Sequence, residues 1–266
     1  MYSSFKLAQK YIRYYLGASN GKGHGIHSPF VFDLVVNVLN DRRKFDAYKK
    51  VETLRHELLK DRSLLEVEDF GAGSVKSGCR KHRSVRSLAG NAAKPPKLAQ
   101  LIYRLVQHYS PDTIIELGTS LGLTTSYMAL AAPATRIITV EGAPGVADVA
   151  RRNFRQLGLG HIEQITGNFD GKLPQLLAQG LKPDMVFIDG NHRKQPTLDY
   201  FNMLLPALQQ ESFLIFDDIH WSAEMEEAWQ AIKSHPAVML TVDLFFLGLV
   251  FFRPEFKVPQ HFTIRF

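Results

Sequence analysis

From residue 112 onward, short apolar runs alternate with longer mixed segments. Each run has the length and β-branched content of a buried strand, and most of the segments between runs are long enough for a crossover helix. Such alternation predicts an α/β fold, with a mostly parallel sheet covered by helices. The five predicted strands are residues 113–117, 136–141, 162–166, 184–189 and 213–217. Two more, 238–245 and 247–253, follow almost without a gap and predict a C-terminal antiparallel hairpin.

The first 110 residues are predicted to be mainly helical. A second helix over residues 31–39 is apolar nearly all round and should be well buried, and a charged helix covers residues 45–60. A further helix follows Pro95-Pro96 and leads into the first strand. The first helix has an apolar face formed by Phe5, Ala8, Ile12, Tyr15 and Leu16.

Composition is that of an ordinary globular protein, with 45% hydrophobic and 22% charged residues among 266. The single cysteine, Cys79, excludes an internal disulfide framework and fits a reducing compartment. No signal-peptide-like run follows the N-terminus, and no apolar stretch is long enough to span a membrane. We therefore expect a cytoplasmic protein without a membrane span.

The net charge of +6 is unevenly distributed. Residues 71–111 contain eight Lys or Arg and no acid, whereas the remainder has 24 Lys or Arg against 26 Asp or Glu. Two interpretations stay open for the basic segment 71–97. It is either a solvated mobile loop or a flap that attracts an anionic substrate, a phosphate or a nucleic acid.

A glycine-rich turn follows the first predicted strand. Glu116 is followed by Gly118, Ser120 and Gly122, and a helix-like segment comes next. This arrangement fits either a nucleotide-like cofactor loop or a hydrolase nucleophile elbow with Ser120 at its tip. A second acidic, glycine-rich string at residues 68–74 is interpreted as a flexible turn, because we expect no apolar strand before it.

Polar side chains stand where the predicted strands end, at the sheet edge where α/β proteins bind ligands. Glu141 is placed to accept ribose hydroxyls, and Asn168 to contact an adenine edge or to form a turn. Three carboxylates, those of Asp189, Asp217 and Asp218, suit Mg²⁺ or another oxygen-preferring cation, or else serve as caps and solvated acids.

Histidines near these carboxylates extend the chemistry. His192 follows Asp189 by three residues and is a candidate general base. His220 and Trp221 are placed to line the substrate side. His24 and His27 have no further ligands at metal spacing, so a structural role is expected, with a substrate-facing His27 left open.

The joint spacing of these motifs resembles the class I S-adenosylmethionine-dependent methyltransferases, in particular small-molecule O-methyltransferases of the catechol and caffeoyl-CoA type. The resemblance covers residues 90–253 and rests on residues 114–122, 140–142, 186–192 and 216–218. It implies a Rossmann-like doubly wound sheet, with residues 91–266 as the cofactor-binding methyltransferase domain. Residues 1–90 lie outside the resemblance and are expected from their pattern to form an N-terminal helical region with the basic flap.

The resemblance also implies roles for individual residues. Mg²⁺, in metal-dependent members, would be held by Asp189, Asp217 and Asp218, and catalysis would involve His192 and Asp189. His192 stands where catechol enzymes carry a lysine, and Asn191 where some relatives have Asp. S-adenosylmethionine would be bound by Glu116, Gly118, Thr119, Ser120, Gly122, Glu141, Gly142, Asn168, Phe169 and Asp189.

The function expected from these features is methylation of a hydroxyl on a small, anionic or neutral acceptor, with or without Mg²⁺. The alternative from a different class is an RNA-directed or other macromolecule-directed protein that uses the basic segment. A serine hydrolase using Ser120 is disfavoured because the residues before the elbow look helical. A nicotinamide enzyme is disfavoured because residues 118–122 are not the dinucleotide fingerprint.

Overall fold

A computed structural model describes residues 1–23, 25–68 and 80–266 and has the predicted Rossmann-like α/β fold, with a C-terminal antiparallel strand pair. The described chain divides into two compact units. We call Arg42–Lys172 the middle unit, and Met1–Asp41 together with Leu173–Phe266 the terminal unit.

In the middle unit, three parallel strands are joined by helices. The strands β3 (Thr113–Leu117), β4 (Arg136–Glu141) and β5 (Glu163–Thr166) pair in this order. Helices α6 (Leu123–Ala131) and α7 (Pro144–Gln156) connect them. The other elements of the unit are α3 (Asp46–Leu58), β1 (Leu64–Glu68), β2 (Arg80–Ser84), α4 (Val85–Asn91) and α5 (Pro96–Tyr109).

The core of the middle unit forms because several helices turn apolar faces to the same place. Val51 and Leu54 of α3, Tyr103 of α5 and Tyr127 of α6 belong to one buried cluster. Tyr127 also donates a hydrogen bond to Glu52 (2.9 Å), so its hydroxyl has a partner inside this packing.

In the terminal unit, β6 (Met185–Ile188) pairs in parallel with β7 (Phe213–Asp217), and β9 (Leu247–Phe251) runs antiparallel to both β7 and β8 (Leu240–Asp243). A last strand, β10 (Gln260–Thr263), pairs in parallel with β8. The helices that lie wholly in this unit are α1 (Ser4–Gly17), α2 (Pro29–Leu34), a π-helical turn (Val35–Leu39), α9 (Lys194–Leu204), a 3-10 turn (Leu205–Ala207) and α10 (Ala223–Lys233). Between the two units in sequence runs α8 (Phe169–Leu177).

Helix starts follow the expected capping chemistry. Ser28 precedes Pro29, the first residue of α2, and its hydroxyl accepts from the backbone N–H of Val31 (3.4 Å). Ser222 caps α10 in the same way, accepting from Met225 (3.2 Å). No helix in the described part of the chain is long and apolar enough to cross a membrane.

The structure corrects three expectations about the chain before residue 110. Residues 64–68 form β1, paired with β2, rather than part of a helical region. Its alternating pattern places Leu65 and Val67 against the core while Leu64 is exposed. An apolar strand therefore does lead toward residues 68–74, although residues 69–79 lie outside the described chain. Helix α2 and its π-helical continuation are also less buried than expected, with Phe32 and Val36 exposed.

Candidate functional site

The glycine-rich loop of the middle unit runs from the end of β3 to the start of α6 with a left-handed backbone at three positions. Gly118 (φ 111°), Ser120 (φ 50°) and Gly122 (φ 78°) all have positive φ. The N–H groups of Gly118 and Thr119 both donate to the carbonyl of Val140 in β4 (2.9 and 3.2 Å). The loop is thus tied to the neighbouring strand while it reverses direction.

Gly122 is glycine for a packing reason as well as a conformational one. A Cβ at this position would lie 2.5 Å from the Phe154 ring and 3.3 Å from the Cβ of Ala150, both on α7. The missing side chain therefore makes room for α7, whatever contact Gly122 has with a ligand.

Glu141 stands at the end of β4 and holds the loop from that side. Its Oε2 accepts from the N–H of Ser120 (2.8 Å), and its Oε1 accepts from the N–H of Ala143 (2.9 Å). Burial raises the pKa of Glu141, and the backbone hydrogen bonds from Ala143, Ser120 and Gly142 offset only part of that rise. Each carboxylate oxygen can accept more than one hydrogen bond, so acceptor capacity remains for ribose hydroxyls.

Glu116 lies deeper than its predicted position at the strand end suggested. It is fully buried, and its Oε2 accepts hydrogen bonds from the hydroxyls of Thr125 in α6 and Thr139 in β4. Thr139 also shares a hydrogen bond with the hydroxyl of Thr119 in the loop. Glu116 thus connects the loop, α6 and β4. Thr125 and Thr139 were not among the predicted site residues, and their only signal is that they are polar residues within an otherwise apolar helix and strand.

Asn168 is exposed at the start of α8, beside Phe169. Its Oδ1 accepts from the N–H of Asp170 (3.2 Å), which is the local turn expected of an asparagine at this position. The preceding Gly167 donates to the carbonyl of Glu141 (2.8 Å). The turn interpretation of Asn168 is therefore realised, and contact with an adenine stays a prediction.

The terminal unit brings together one acid and one histidine after β6 and a second acid at the end of β7. Asp189, His192 and Asp217 each offer a ligand atom, and these atoms lie within 4.8 Å of one another. His192 Nε2 is 3.7 Å from Asp189 Oδ1. The turn is possible because Asn191 and His192 have positive φ (68° and 34°), with the Asn191 amide donating to the hydroxyl of Tyr200 (2.9 Å).

Asp218, predicted as the third metal ligand, is not a member of this group of three. It lies instead in a pocket of about 270 Å³, including space open to solvent. The pocket is lined by Leu7, Asp218, His220, Trp221, Phe245 and Phe246. His220 and Trp221, predicted to line the substrate side, both line this pocket, and binding of a substrate there stays a prediction.

His220 is fixed in that pocket by two carboxylates. Its Nε2 lies 2.8 Å from Asp243 Oδ2, and its Nδ1 lies 3.1 Å from Glu226 Oε1. Burial lowers the pKa of His220, but the hydrogen bonds and charges of Asp243 and Glu226 raise it by more, so the net shift is upward. The imidazole is therefore favoured in its charged form. It links Asp243 of β8 to Glu226 of α10, and we call this bridging side chain the strut.

The remaining sequence candidates are His24 and His27. His27 is exposed, and the side chain that caps the following helix is that of Ser28. His24 lies outside the described residues, as do residues 71–79 of the basic segment. The described part of that segment contains β2 and α4, so it is not the loop that was predicted, and its role as a flap stays a prediction.

Comparison with known proteins gives matches to methyltransferases. A family model described as a methyltransferase domain matches residues 115–219. A catechol O-methyltransferase of Niastella koreensis is 36% identical over 127 residues, which cover 47% of this chain and 57% of that protein. The chain thus spans little more than half the length of this curated relative.

Solved structures share the fold at low identity. The S-adenosylhomocysteine-bound O-methyltransferase of Bacillus cereus aligns with a TM-score of 0.56 and 19% identity, covering 83% of this chain and 96% of the other. An S-adenosylhomocysteine-bound methyltransferase of Podospora anserina aligns with a TM-score of 0.59 and 12% identity, covering 95% and 98%.

Proposed function

Since the chain carries a methyltransferase domain of the class I, S-adenosylmethionine-dependent type, we propose that it methylates a hydroxyl group of a small molecule. The observation that carries the proposal is the Glu141 carboxylate. It is half-buried at a strand end, accepts a hydrogen bond from Ser120 of the glycine-rich loop, and retains acceptor capacity. A ribose bound there would have its hydroxyls recognised by a fixed acceptor.

The middle unit supplies the residues for the cofactor. Glu141 and Gly142 would hold the ribose, the loop residues Gly118, Thr119 and Ser120 the methionine part, and Asn168 with Phe169 the adenine. Glu116 supports these residues indirectly. It accepts hydrogen bonds from Thr125 and Thr139, and Thr139 in turn shares a hydrogen bond with Thr119 of the loop. When bound, S-adenosylmethionine supplies a methyl group on a sulfonium sulfur.

The terminal unit supplies the residues for the acceptor. The pocket beside Asp218 has mainly apolar and aromatic walls, which suit a flat small molecule with few polar groups. We retain an anionic acceptor as a subsidiary proposal that rests on the basic segment alone. The same holds for a nucleic-acid substrate.

A divalent cation fits the group formed by Asp189, His192 and Asp217. Two carboxylate oxygens and one imidazole nitrogen are a mixed donor set, which suits Mn²⁺ or another transition metal at least as well as Mg²⁺. Such a cation, when bound, would lower the pKa of an acceptor hydroxyl. Without it, His192 is the group in this cluster that would act as the general base. The two roles of His192 exclude each other, and this makes them separable by experiment.

Calorimetry with S-adenosylmethionine and S-adenosylhomocysteine tests the cofactor proposal directly, and binding of both is expected. Transfer of label from S-adenosylmethionine to a panel of catechols, simple phenols and aliphatic alcohols then tests the acceptor class. Activity lost with a chelator and restored by Mn²⁺ or Mg²⁺ would support the metal. Absence of cofactor binding by the folded protein would overturn the proposed function.

A further inference from the structure

Helix α1 has two apolar faces, and only one of them packs against the protein. On the packed face, the rings of Tyr11 and Tyr14 lie 5.1 and 5.2 Å from the ring of Phe245. The same side is held by polar contacts, since Tyr2 and Lys10 both bind Glu226 (2.8 and 2.9 Å). The helix is therefore anchored without using its other face.

The second face is the one predicted from the sequence to be apolar, and it is exposed. Phe5 is 74% exposed, Ile12 58% and Leu16 72%, while Ala8 and Tyr15 complete the stripe. These positions recur at the spacing that aligns side chains along one side of a helix. A contiguous stripe of large apolar side chains on a surface marks an interaction site more often than a chance exposure.

The charged residues of α1 and its flanking segments are all basic. Residues 1–32 contain Lys6, Lys10, Arg13 and Lys22 and no Asp or Glu. Lys10 is paired with Glu226. At 100° per residue, Lys6 and Arg13 fall between the stripe and the packed face, and the Lys6 ammonium lies 4.4 Å from the centre of the Tyr2 ring. At the C-terminal end of the helix, the Arg265 guanidinium lies 4.9 Å from the centre of the Tyr15 ring. An exposed apolar face bordered by cations calls for a partner that is apolar and anionic.

We propose that α1 docks on the surface of an anionic lipid bilayer. Its apolar stripe would enter the boundary between headgroups and acyl chains, and Lys6 and Arg13 would contact anionic headgroups. A helix of 14 residues is about 21 Å long and can lie flat in this region without crossing it. Because the opposite face is already packed, docking requires no coupled folding.

A second copy of the chain fits this face less well. A two-fold contact would place the stripe against itself and bring Lys6 and Arg13 of the two copies together, with no acid from residues 1–32 to offset them. A bilayer satisfies both the apolar stripe and the charge, so the lipid surface is the partner that the residues favour.

The test is co-sedimentation of the full chain with vesicles of phosphatidylcholine alone and of phosphatidylcholine mixed with phosphatidylglycerol. We expect binding to the mixed vesicles that falls as salt is raised. Leu16→Ser should weaken binding about tenfold or more, because one large apolar side chain no longer leaves water. The matched control is Leu64→Ser on β1, where a leucine of similar exposure (68%) is replaced in the same way and binding should not change.

A charge variant separates the electrostatic contribution to vesicle binding from the apolar contribution of the stripe. Arg13→Glu should weaken binding to the mixed vesicles with little effect on the fold, which circular dichroism checks for every variant. Equal binding of Leu16→Ser and wild type would overturn the proposal, as would equal binding to both vesicle types. Failure to sediment, with a dimer in light scattering that Leu16→Ser abolishes, would also overturn it in favour of a second copy. None of these outcomes depends on methyl transfer.

Discussion

The glycine-rich loop of the middle unit and helix α1 of the terminal unit are both held by polar side chains, but over very different distances along the chain. In the loop, Glu141 binds Ser120 from 21 residues away, and Glu116 binds Thr139 from 23 residues away. For α1, Lys10 of the helix and Tyr2 just before it bind Glu226 from 216 and 224 residues away. Nearby sequence thus specifies the loop, whereas the anchoring of α1 depends on the completed terminal unit.

The largest effect is expected where the loop meets α7. Gly122→Ala should lower the free energy of unfolding by about 2–5 kcal/mol, combining a left-handed backbone with a clash against Phe154. Gly158→Ala is the matched control, because Gly158 also has positive φ (72°) but no atom within 4 Å of the added Cβ. Its expected loss is about 1–2 kcal/mol. Equal losses in denaturant titrations would show that α7 does not fix the loop.

A somewhat smaller effect is expected at the strut in the terminal unit. His220→Ala removes hydrogen bonds to two carboxylates, which keep their other partners, and should cost about 2–3 kcal/mol of unfolding free energy. It should also increase hydrogen exchange in α1, since Glu226 links His220 to Lys10 and Tyr2.

The control for the strut is His261→Ala, which removes a single bond between His261 and the Thr241 hydroxyl (2.9 Å). A loss of about 0.5–1.5 kcal/mol is expected there, with no change in α1. If both variants lose the same stability and α1 exchanges as before, then α1 is not held through His220.

These two regions also show how far the sequence alone could lead. Strands β3, β4 and β7 were predicted with their observed bounds, because apolar runs and flanking turn residues are local signals. Helix α1 was predicted as a helix, but which of its two apolar faces packs depends on Phe245 and Glu226, far along the chain. The spacing of apolar residues identifies an apolar face of a helix, but it does not show whether that face packs against the rest of the protein.

The site shows the same division. Glu141, Asp189 and Asp217 could be placed at one edge of the sheet from the sequence, because parallel strands end at the same edge. The inclusion of His192 beside Asp189 and Asp217 depended on the left-handed turn at Asn191, where asparagine tolerates positive φ but does not require it. The deep position of Glu116 depended on two threonines in other elements.

An intermediate effect on binding is expected at Glu141. Glu141→Ala removes the acceptor for Ser120 and the proposed acceptor for the ribose, and should weaken S-adenosylmethionine binding by about 1–3 kcal/mol in calorimetry. Glu163→Ala is the control, because Glu163 of β5 forms an exposed pair with Arg136 (2.7 Å) and should leave binding unchanged. If Glu141→Ala binds S-adenosylmethionine as tightly as the wild type, Glu141 does not contact the cofactor.

The smallest effect is a dependence of the unfolding free energy on pH. It is expected for the charged side chain of His220 in the terminal unit and not for the uncharged side chains of Thr125 and Thr139 in the middle unit. The pKa of His220 in the folded protein is raised above its ordinary value of 6.5, so the folded state binds the proton more tightly than the unfolded state. The stabilisation is fully present below the ordinary pKa and is lost as pH rises through the raised one. Glu226 remains ionised over this range, because Lys10, Tyr2 and His220 lower its pKa more than burial raises it.

The measurement is the difference in unfolding free energy between wild type and His220→Gln as a function of pH. Glutamine keeps a hydrogen-bonding side chain but cannot carry the charge, so the difference isolates the proton. It should be greatest in mildly acidic solution and shrink as pH rises above 6.5. A constant difference would mean that His220 acts by shape and hydrogen bonding alone, and a growing one would mean that its pKa is lowered by burial. In either case the charge that anchors α1 at Glu226 would be that of Lys10 alone.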